Sequence, residues 1–188
     1  MDKNEQCISI DEAKQLIEMT SRRIALLHLS FARTLVDELG EEKGKELILK
    51  AIKDYGNKIG EKVRKDVIDQ GLDPVPENYG AGKSSDVPAF GMHDRREKGL
   101  LVEGKKISRA YGCVLAKVWK EYGEEKLGRL YCYVDPAKYM AFNPDFTLVH
   151  LKAMPDGDEY CEFTVRPTTE KEREDYSSRD KDWTYIDT

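Results

Sequence analysis

The chain has 188 residues, of which 39% are hydrophobic and 36% are charged, and its formal net charge is -5 at pH 7. This size allows one folded domain with a real core, whereas the negative charge argues against a nucleic-acid partner. No apolar run approaches the ~20 residues of a membrane span, and the N-terminal residues lack the order of a signal peptide. We therefore expect a cytoplasmic protein with no membrane contact.

Two long helices are predicted first, over residues 9–39 and about 41–70. Ser9 or Asp11 can cap the first helix, and Gly40 stands where it ends. The short connection implies an antiparallel pair. Apolar residues spaced by three and four predict the buried faces: Ile24, His28, Phe31, Leu35 and Leu39 on the first helix, and Ile48, Ile52, Tyr55, Ile59 and Val63 on the second.

Gly56 and Gly60 lie on the predicted buried face of the second helix. A glycine inside a helix costs about 1 kcal/mol relative to alanine. Two glycines on one face therefore indicate close approach by another backbone or by a ligand. We favour packing, and we keep both positions as candidates for substrate binding.

The middle of the chain predicts a loop over residues 71–91 and two strands within residues 92–111 that turn near Glu103 and Gly104. Cys113 then opens an amphipathic helix, and a short helix follows over residues 124–131. Asp135 is predicted to cap a third small helix, with Pro136 in its first turn.

A hairpin of residues 146–154 and 158–166 is the last clear unit of the chain. A three-residue loop that ends at Gly157 would place Leu151 opposite Cys161 and Val149 opposite Phe163. In that register His150 and Cys161 point to opposite faces of the sheet and cannot form a dyad. We predict one α+β domain over residues 1–166, with the helix pair and short helices packed on an antiparallel sheet that ends in this hairpin.

Residues 167–188 are charged and show no periodic pattern. We expect them to form an irregular, mobile tail. Trp183 and Tyr185 are the two residues able to dock it on the domain.

Four sequence segments together point to a family: Cys113 at a helix start, residues 127–132 (LGRLYC), residues 142–145 (FNPD) and residues 157–163 (GDEYCEF). With Gly56, Gly60 and Arg64, they resemble the L-2-amino-thiazoline-4-carboxylic acid hydrolase family over roughly residues 20–166. The last segment is also distantly similar to vinyl-reductase-type ligand-sensing domains, which are related in fold to small subunits of the TRAPP vesicle-tethering complex. The resemblance implies helices packed on an antiparallel sheet. It also implies a hydrolase that opens a cyclic isothiourea to an N-carbamoyl amino acid.

Such a ring opening needs a nucleophile and an acid–base group. Cys113 is the candidate nucleophile, because a helix N-terminus lowers the pKa of a thiol. His93, Asp135 and Asp158 are the candidates for proton transfer. The ordinary alternatives are a small buried residue for Cys113, a polar loop residue for His93, and a cap or turn residue for Asp135 and Asp158.

The small-molecule substrate of such an enzyme carries a carboxylate, which a cation would hold. Arg64 and Arg109 are the candidate cations, with a solvated surface position as the alternative for each. No cofactor is expected for this reaction.

A second hypothesis follows from three cysteines, Cys113, Cys132 and Cys161. If the three thiols converge, they would bind zinc or an iron–sulfur cluster, although their spacing matches no metal motif. The protein would then be a non-catalytic module that senses a small ligand or a metal. A homodimer is possible in either case.

Overall fold

The computed structural model describes residues 7–83, 85, 88 and 90–188. Positions 84, 86, 87 and 89 of the predicted 71–91 loop lie outside the described residues. The helices are α1 (Ile10–Leu39), α2 (Glu41–Ile68), α3 (Val114–Glu121), α4 (Glu125–Arg129), α5 (Val134–Phe142) and α6 (Glu170–Ser177). The strands are β1 (Arg95–Val102), β2 (Lys105–Tyr111), β3 (Phe146–Lys152) and β4 (Tyr160–Pro167). The predicted α+β class is confirmed. Among the described residues, no helix combines the length and the apolar character needed to cross a membrane.

The two N-terminal helices begin and end where local sequence signals predict. The Ser9 side chain accepts a hydrogen bond from the backbone N–H of Glu12 at 3.1 Å, and Gly40 ends α1 with a φ of +80°. The buried face of α1 differs from the prediction, because Ala25, Leu29 and Ala32 are buried while Phe31 is 66% exposed. Small side chains on this face let α2 and α3 approach α1 closely.

Gly56 and Gly60 mark the contact between α2 and α5. A Cβ atom on Gly60 would lie 2.1 Å from the carbonyl oxygen of Lys138, and one on Gly56 would lie 2.5 Å from the Cβ of Ala137. These positions therefore serve helix packing. The close contact fixes α5, which carries several residues of the site described below.

The sheet is antiparallel throughout and has the strand order β1-β2-β4-β3. The β1–β2 turn lies at Glu103 and Gly104, as predicted, and both residues have positive φ. Arg96 of β1 pairs with Ala110 of β2, which pairs with Cys161 of β4. These three side chains therefore project from the same face of the sheet.

The register predicted for the β3–β4 hairpin is wrong by one residue. His150, not Val149, pairs with Phe163, and a bulge separates His150 from Lys152. The connection is also longer than three residues, since β3 ends at Lys152 and β4 begins at Tyr160. The Asp158 carboxylate accepts a hydrogen bond from the Ala153 N–H at 2.9 Å and closes this loop. A one-residue shift reverses the face to which a side chain points, so His150 lies on the same face as Cys161.

The C-terminal segment is more ordered than the sequence predicts. Thr169 and Glu172 form a capping box that begins α6. Trp183 and Ile186 are buried and pack against α5, so Trp183 docks the segment. Tyr185 lies nearer the surface and donates a hydrogen bond to Asp175 at 2.7 Å.

Candidate functional site

A cavity of about 390 Å³ lies between the sheet and helices α2, α3 and α5. Its polar lining combines thiols, imidazoles, a carboxylate and cations, and it includes Arg96, His93, His150, Asp135, Lys138, Cys113, Cys132 and Cys161. Three of the four cysteines and two of the three histidines therefore face one space. Such a set of convergent titratable groups in a cavity is the usual setting for binding or catalysis.

His150 is held between two carboxylates. Its Nδ1 lies 2.9 Å from Oδ1 of Asp187, and its Nε2 lies 3.4 Å from Oδ2 of Asp135. Burial on its own would lower the pKa of His150, but the hydrogen bonds and charges of Asp135 and Asp187 outweigh it and raise this pKa to about 9. The imidazole is therefore positively charged at neutral pH.

Each carboxylate beside His150 has a second cation. Asp187 accepts a hydrogen bond from Arg129 Nη2 at 2.8 Å, and Asp135 lies 2.8 Å from Lys138 Nζ. Burial opposes ionisation of Asp135, but Lys138 and His150 hold its pKa well below the usual value. Asp135 is not the helix cap that the sequence predicts, since α5 begins at Val134. Its side chain is used in the cavity instead.

The three thiols in the cavity are neutral at physiological pH. Burial raises the pKa of Cys113 and Cys132, and it raises that of Cys161 to about 12. Cys113 does stand at the N-terminus of α3, where the N–H groups of Ala116 and Leu115 favour the thiolate. Burial is the stronger effect, so the predicted low pKa of Cys113 is wrong for the free protein.

The described residues contain no group of three or more histidine, cysteine, aspartate or glutamate side chains that could hold a metal ion. Cys113, Cys132 and Cys161 share the cavity lining without forming such a group. Zinc or iron–sulfur binding by these cysteines stays a prediction.

Several predicted site residues lie away from the cavity. Arg64 donates a hydrogen bond to the carbonyl oxygen of Phe142 at 2.7 Å. Arg109 pairs with Glu162 at 2.7 Å, and it points away from the cavity because its neighbour Ala110 lines it. Asp158 closes the hairpin loop. Arg64, Arg109 and Asp158 therefore have structural contacts, as Gly56 and Gly60 do, whereas His93, Cys113 and Asp135 come together in the cavity.

Sequence reasoning missed four residues of this site: Arg96, Lys138, His150 and Asp187. Arg96 lines the cavity, and its buried Nε has no hydrogen-bond partner among the described residues. Its position on the cavity face follows from strand alternation once the pairing with Ala110 is known. Asp187 is 37 residues from His150 in the chain, so no local pattern connects the two.

Comparison with known proteins identifies a family. The family model for L-2-amino-thiazoline-4-carboxylic acid hydrolase matches residues 19–165. That match contains every cavity-lining residue named above and excludes Asp187. No curated protein and no solved structure matches the chain. Because the match covers most of the sequence, the chain belongs to the L-2-amino-thiazoline-4-carboxylic acid hydrolase family.

Proposed function

We propose that this protein is a hydrolase that opens a 2-aminothiazoline-4-carboxylate ring to an N-carbamoyl amino acid with a free thiol. One observation carries the proposal: a single cavity holds the Cys113 thiol, the charged His150 imidazole and the Arg96 guanidinium. These are a nucleophile, an acid and a cation for a carboxylate. The family supplies the substrate class.

Two ends of the substrate find complementary groups in the cavity. The Arg96 guanidinium suits the substrate carboxylate, since a guanidinium and a carboxylate form paired hydrogen bonds. The ionised Asp135 carboxylate suits the amidine-like nitrogens at the other end. Binding at both ends would hold the ring carbon that joins sulfur and nitrogen beside the thiols.

The first chemical step forms a covalent adduct. The Cys113 Sγ attacks the amidine carbon while the thiol proton passes to the ring nitrogen, so the neutral thiol needs no separate base. The bond between this carbon and the ring sulfur then breaks. The departing sulfur takes a proton from His150, which becomes neutral and leaves an isothiouronium on Cys113.

The second chemical step consumes water. Water attacks the isothiouronium carbon and gives one proton to His150, which returns to its charged form. The bond between this carbon and Cys113 Sγ breaks, and the sulfur takes the remaining hydroxyl proton. The product is the N-carbamoyl amino acid, and Cys113 and His150 regain their starting protonation states. The overall reaction adds one water molecule to the substrate.

The test is a chromatographic assay of the N-carbamoyl product with purified variants. We expect Cys113→Ser to lower kcat/KM by more than about 100-fold. Cys132→Ser is the matched control, because it removes a buried thiol of the same cavity that does not stand at the α3 N-terminus; we expect it to stay within about tenfold of wild type. His150→Gln should lose about 10²–10⁴-fold, the usual contribution of a positioned acid.

Mass spectrometry of quenched reactions should show an isothiouronium adduct on Cys113. A Cys113→Ser variant with the wild-type rate would exclude thiol attack. A folded wild-type protein that opens no 2-aminothiazoline ring would reject the reaction itself.

Arg96 is tested through the substrate carboxylate. Arg96→Met should raise KM for the carboxylate substrate by about 10–100-fold, and Arg96→Lys should raise it less. Neither variant should change KM for the matching primary amide, which lacks the charge. An equal effect on both substrates would argue that Arg96 has another role.

A second candidate is a non-catalytic module that binds a small ligand or a metal. The raised pKa values of all three cavity thiols favour it, because neutral buried thiols are poor nucleophiles. Binding of the thiazoline acid without turnover would support ligand sensing. Stoichiometric zinc or iron in protein purified without chelator, lost on replacing Cys113, Cys132 or Cys161, would support a metal site.

A further inference from the structure

We infer that Asp187 is a positioning residue that fixes the orientation and the charge of His150 for the proposed ring opening, on which this inference rests. Asp187 Oδ1 lies 2.9 Å from the Nδ1 of His150 and also accepts a hydrogen bond from the His150 backbone N–H at 3.0 Å. These two contacts hold the ring relative to its own backbone. They leave Nε2 directed toward Asp135 and the cavity.

The Asp187 carboxylate is itself held in place. Its residue is only 3% exposed, and Arg129 Nη2 donates a hydrogen bond to Oδ2 at 2.8 Å. Arg129 Nε donates a second bond to Asp156 in the hairpin loop at 2.9 Å. A buried carboxylate is costly unless it is paired. Asp187 therefore has a defined place between Arg129 and His150.

The chain around Asp187 is anchored on the domain. Trp183 and Ile186 are buried against α5, and Arg166 donates a hydrogen bond to the carbonyl oxygen of Ile186 at 3.0 Å. The family match ends at residue 165, so this partner of His150 comes from a segment beyond it. The last turn of the chain thus completes the setting of a residue that lies inside the matched region.

The charged groups around His150 define what removing Asp187 would change. Asp135 faces the ring from α5, and Asp187 faces it from the C-terminal turn. From β4 the ring of Phe163 packs at 4.8 Å between ring centres. Lys138 and Arg129 act on His150 through the two carboxylates, and the thiols of Cys113, Cys132 and Cys161 line the same cavity. Without Asp187, Asp135 is the one carboxylate in contact with the ring among the described residues.

The test is an NMR titration of full-length protein with labelled histidine. The chain has three histidines, and a His150→Gln variant identifies the His150 signal. In the wild type we expect His150 to titrate at about 9. In Asp187→Asn, which keeps the shape of the side chain, we expect the titration to move down by about 1–3 pH units, the usual effect of one close opposite charge.

Asp182→Asn is the matched control. It removes one negative charge from the same turn, where Asp182 accepts hydrogen bonds from Thr184 and not from His150. Its His150 titration should match the wild type. In the ring-opening assay, the alkaline limb of kcat/KM for Asp187→Asn should move down with the NMR titration of the free protein, whereas the Asp182→Asn profile should stay unchanged.

The wild type alone provides a further readout should Asp187→Asn fail to fold. The proton on Nδ1 of His150 should exchange slowly with solvent, because it lies in a buried hydrogen bond. Fast exchange, or an unshifted titration in folded Asp187→Asn, would overturn the inference even in an active enzyme. A shifted titration in a protein that opens no thiazoline ring would instead reject the proposed reaction and leave the Asp187–His150 contact standing.

Discussion

Raising the pH from 6.5 to 9 should destabilise the folded protein, and His150 provides the reason. The pKa of this histidine rises from 6.5 to about 9 on folding. The folded state therefore holds a proton that the unfolded state has released across this window. The free energy of unfolding must fall as the pH rises wherever the folded state binds more protons.

The size of the effect follows from the same pKa values. One pKa unit corresponds to about 1.4 kcal/mol, so the shift of His150 contributes roughly 3 kcal/mol. This contribution is complete below pH 6.5 and is lost once the pH passes about 9. The thiols add to the loss only as the pH approaches 9.0, their ordinary pKa. On the acid side, burial lowers the pKa of His28, so its contribution is lost as the pH falls below 6.5.

Urea unfolding in reducing buffer, repeated about every half pH unit from roughly pH 6 to 10, measures how the free energy of unfolding changes with pH. The wild type should lose about 3 kcal/mol between pH 6.5 and 9. His150→Gln should be less stable overall, because Asp135 and Asp187 lose their shared partner, yet its stability should change little across this window. An unchanged wild-type stability from pH 6.5 to 9 would refute the view that His150 is held charged between two carboxylates.

Three substitutions test the packing and the orientation of the site. Gly60→Ala should lower the free energy of urea unfolding by about 1–3 kcal/mol, because the new Cβ would meet the Lys138 carbonyl. Helix propensity alone would favour alanine by about 1 kcal/mol, so the clash must outweigh this gain. Gly80→Ala, with nothing within 4 Å of the new Cβ, is the control; a gain in stability for Gly60→Ala would contradict the α2–α5 contact. Phe31→Ala should change the free energy of unfolding by less than about 0.5 kcal/mol, because Phe31 is exposed. A larger loss would support the predicted buried face of α1, which includes Phe31. Arg109→Ala should keep kcat/KM for ring opening within about twofold of wild type, since its side chain lies on the outer face of the sheet; a large loss would place it in the site.

The helices illustrate what sequence can predict and where it stops. Ser9 and Gly40 carry local signals of a helix start and end, and α1 begins and ends beside them. The buried face of α1 has no such signal, because large apolar side chains occur on more than one side of the helix. Close packing of α3 selects the side with Ala25 and Ala32, so Phe31 points to solvent. That choice depends on a partner far away in the chain.

Two arginines of the strands show the same difference between what local sequence predicts and what distant contacts decide. Arg96 and Arg109 both lie in predicted strands, and their residue type gives no reason to prefer one as the substrate cation. The pairing of Arg96 with Ala110 places Arg96 on the cavity face of the sheet, and strand alternation then turns Arg109 to the opposite face. The predicted helix start at Cys113 is confirmed, because a helix start is a local property of the sequence. The raised pKa of Cys113 was not predictable, because burial depends on the whole fold.

His150 is the residue on which sequence reasoning failed most, and two distant contacts explain why. A three-residue loop would have directed His150 away from Cys161, whereas the loop closed by Asp158 and the bulge after His150 direct it into the cavity. Asp187, which is 37 residues further along the chain, then holds the ring. The hairpin register and its bulge set which face His150 occupies, and Asp135 of α5 together with Asp187 of the C-terminal turn favour its charged form. The proton donor of the proposed reaction therefore depends on three segments that are separate in the chain: the hairpin that orients His150, the helix that carries Asp135 and the turn that carries Asp187.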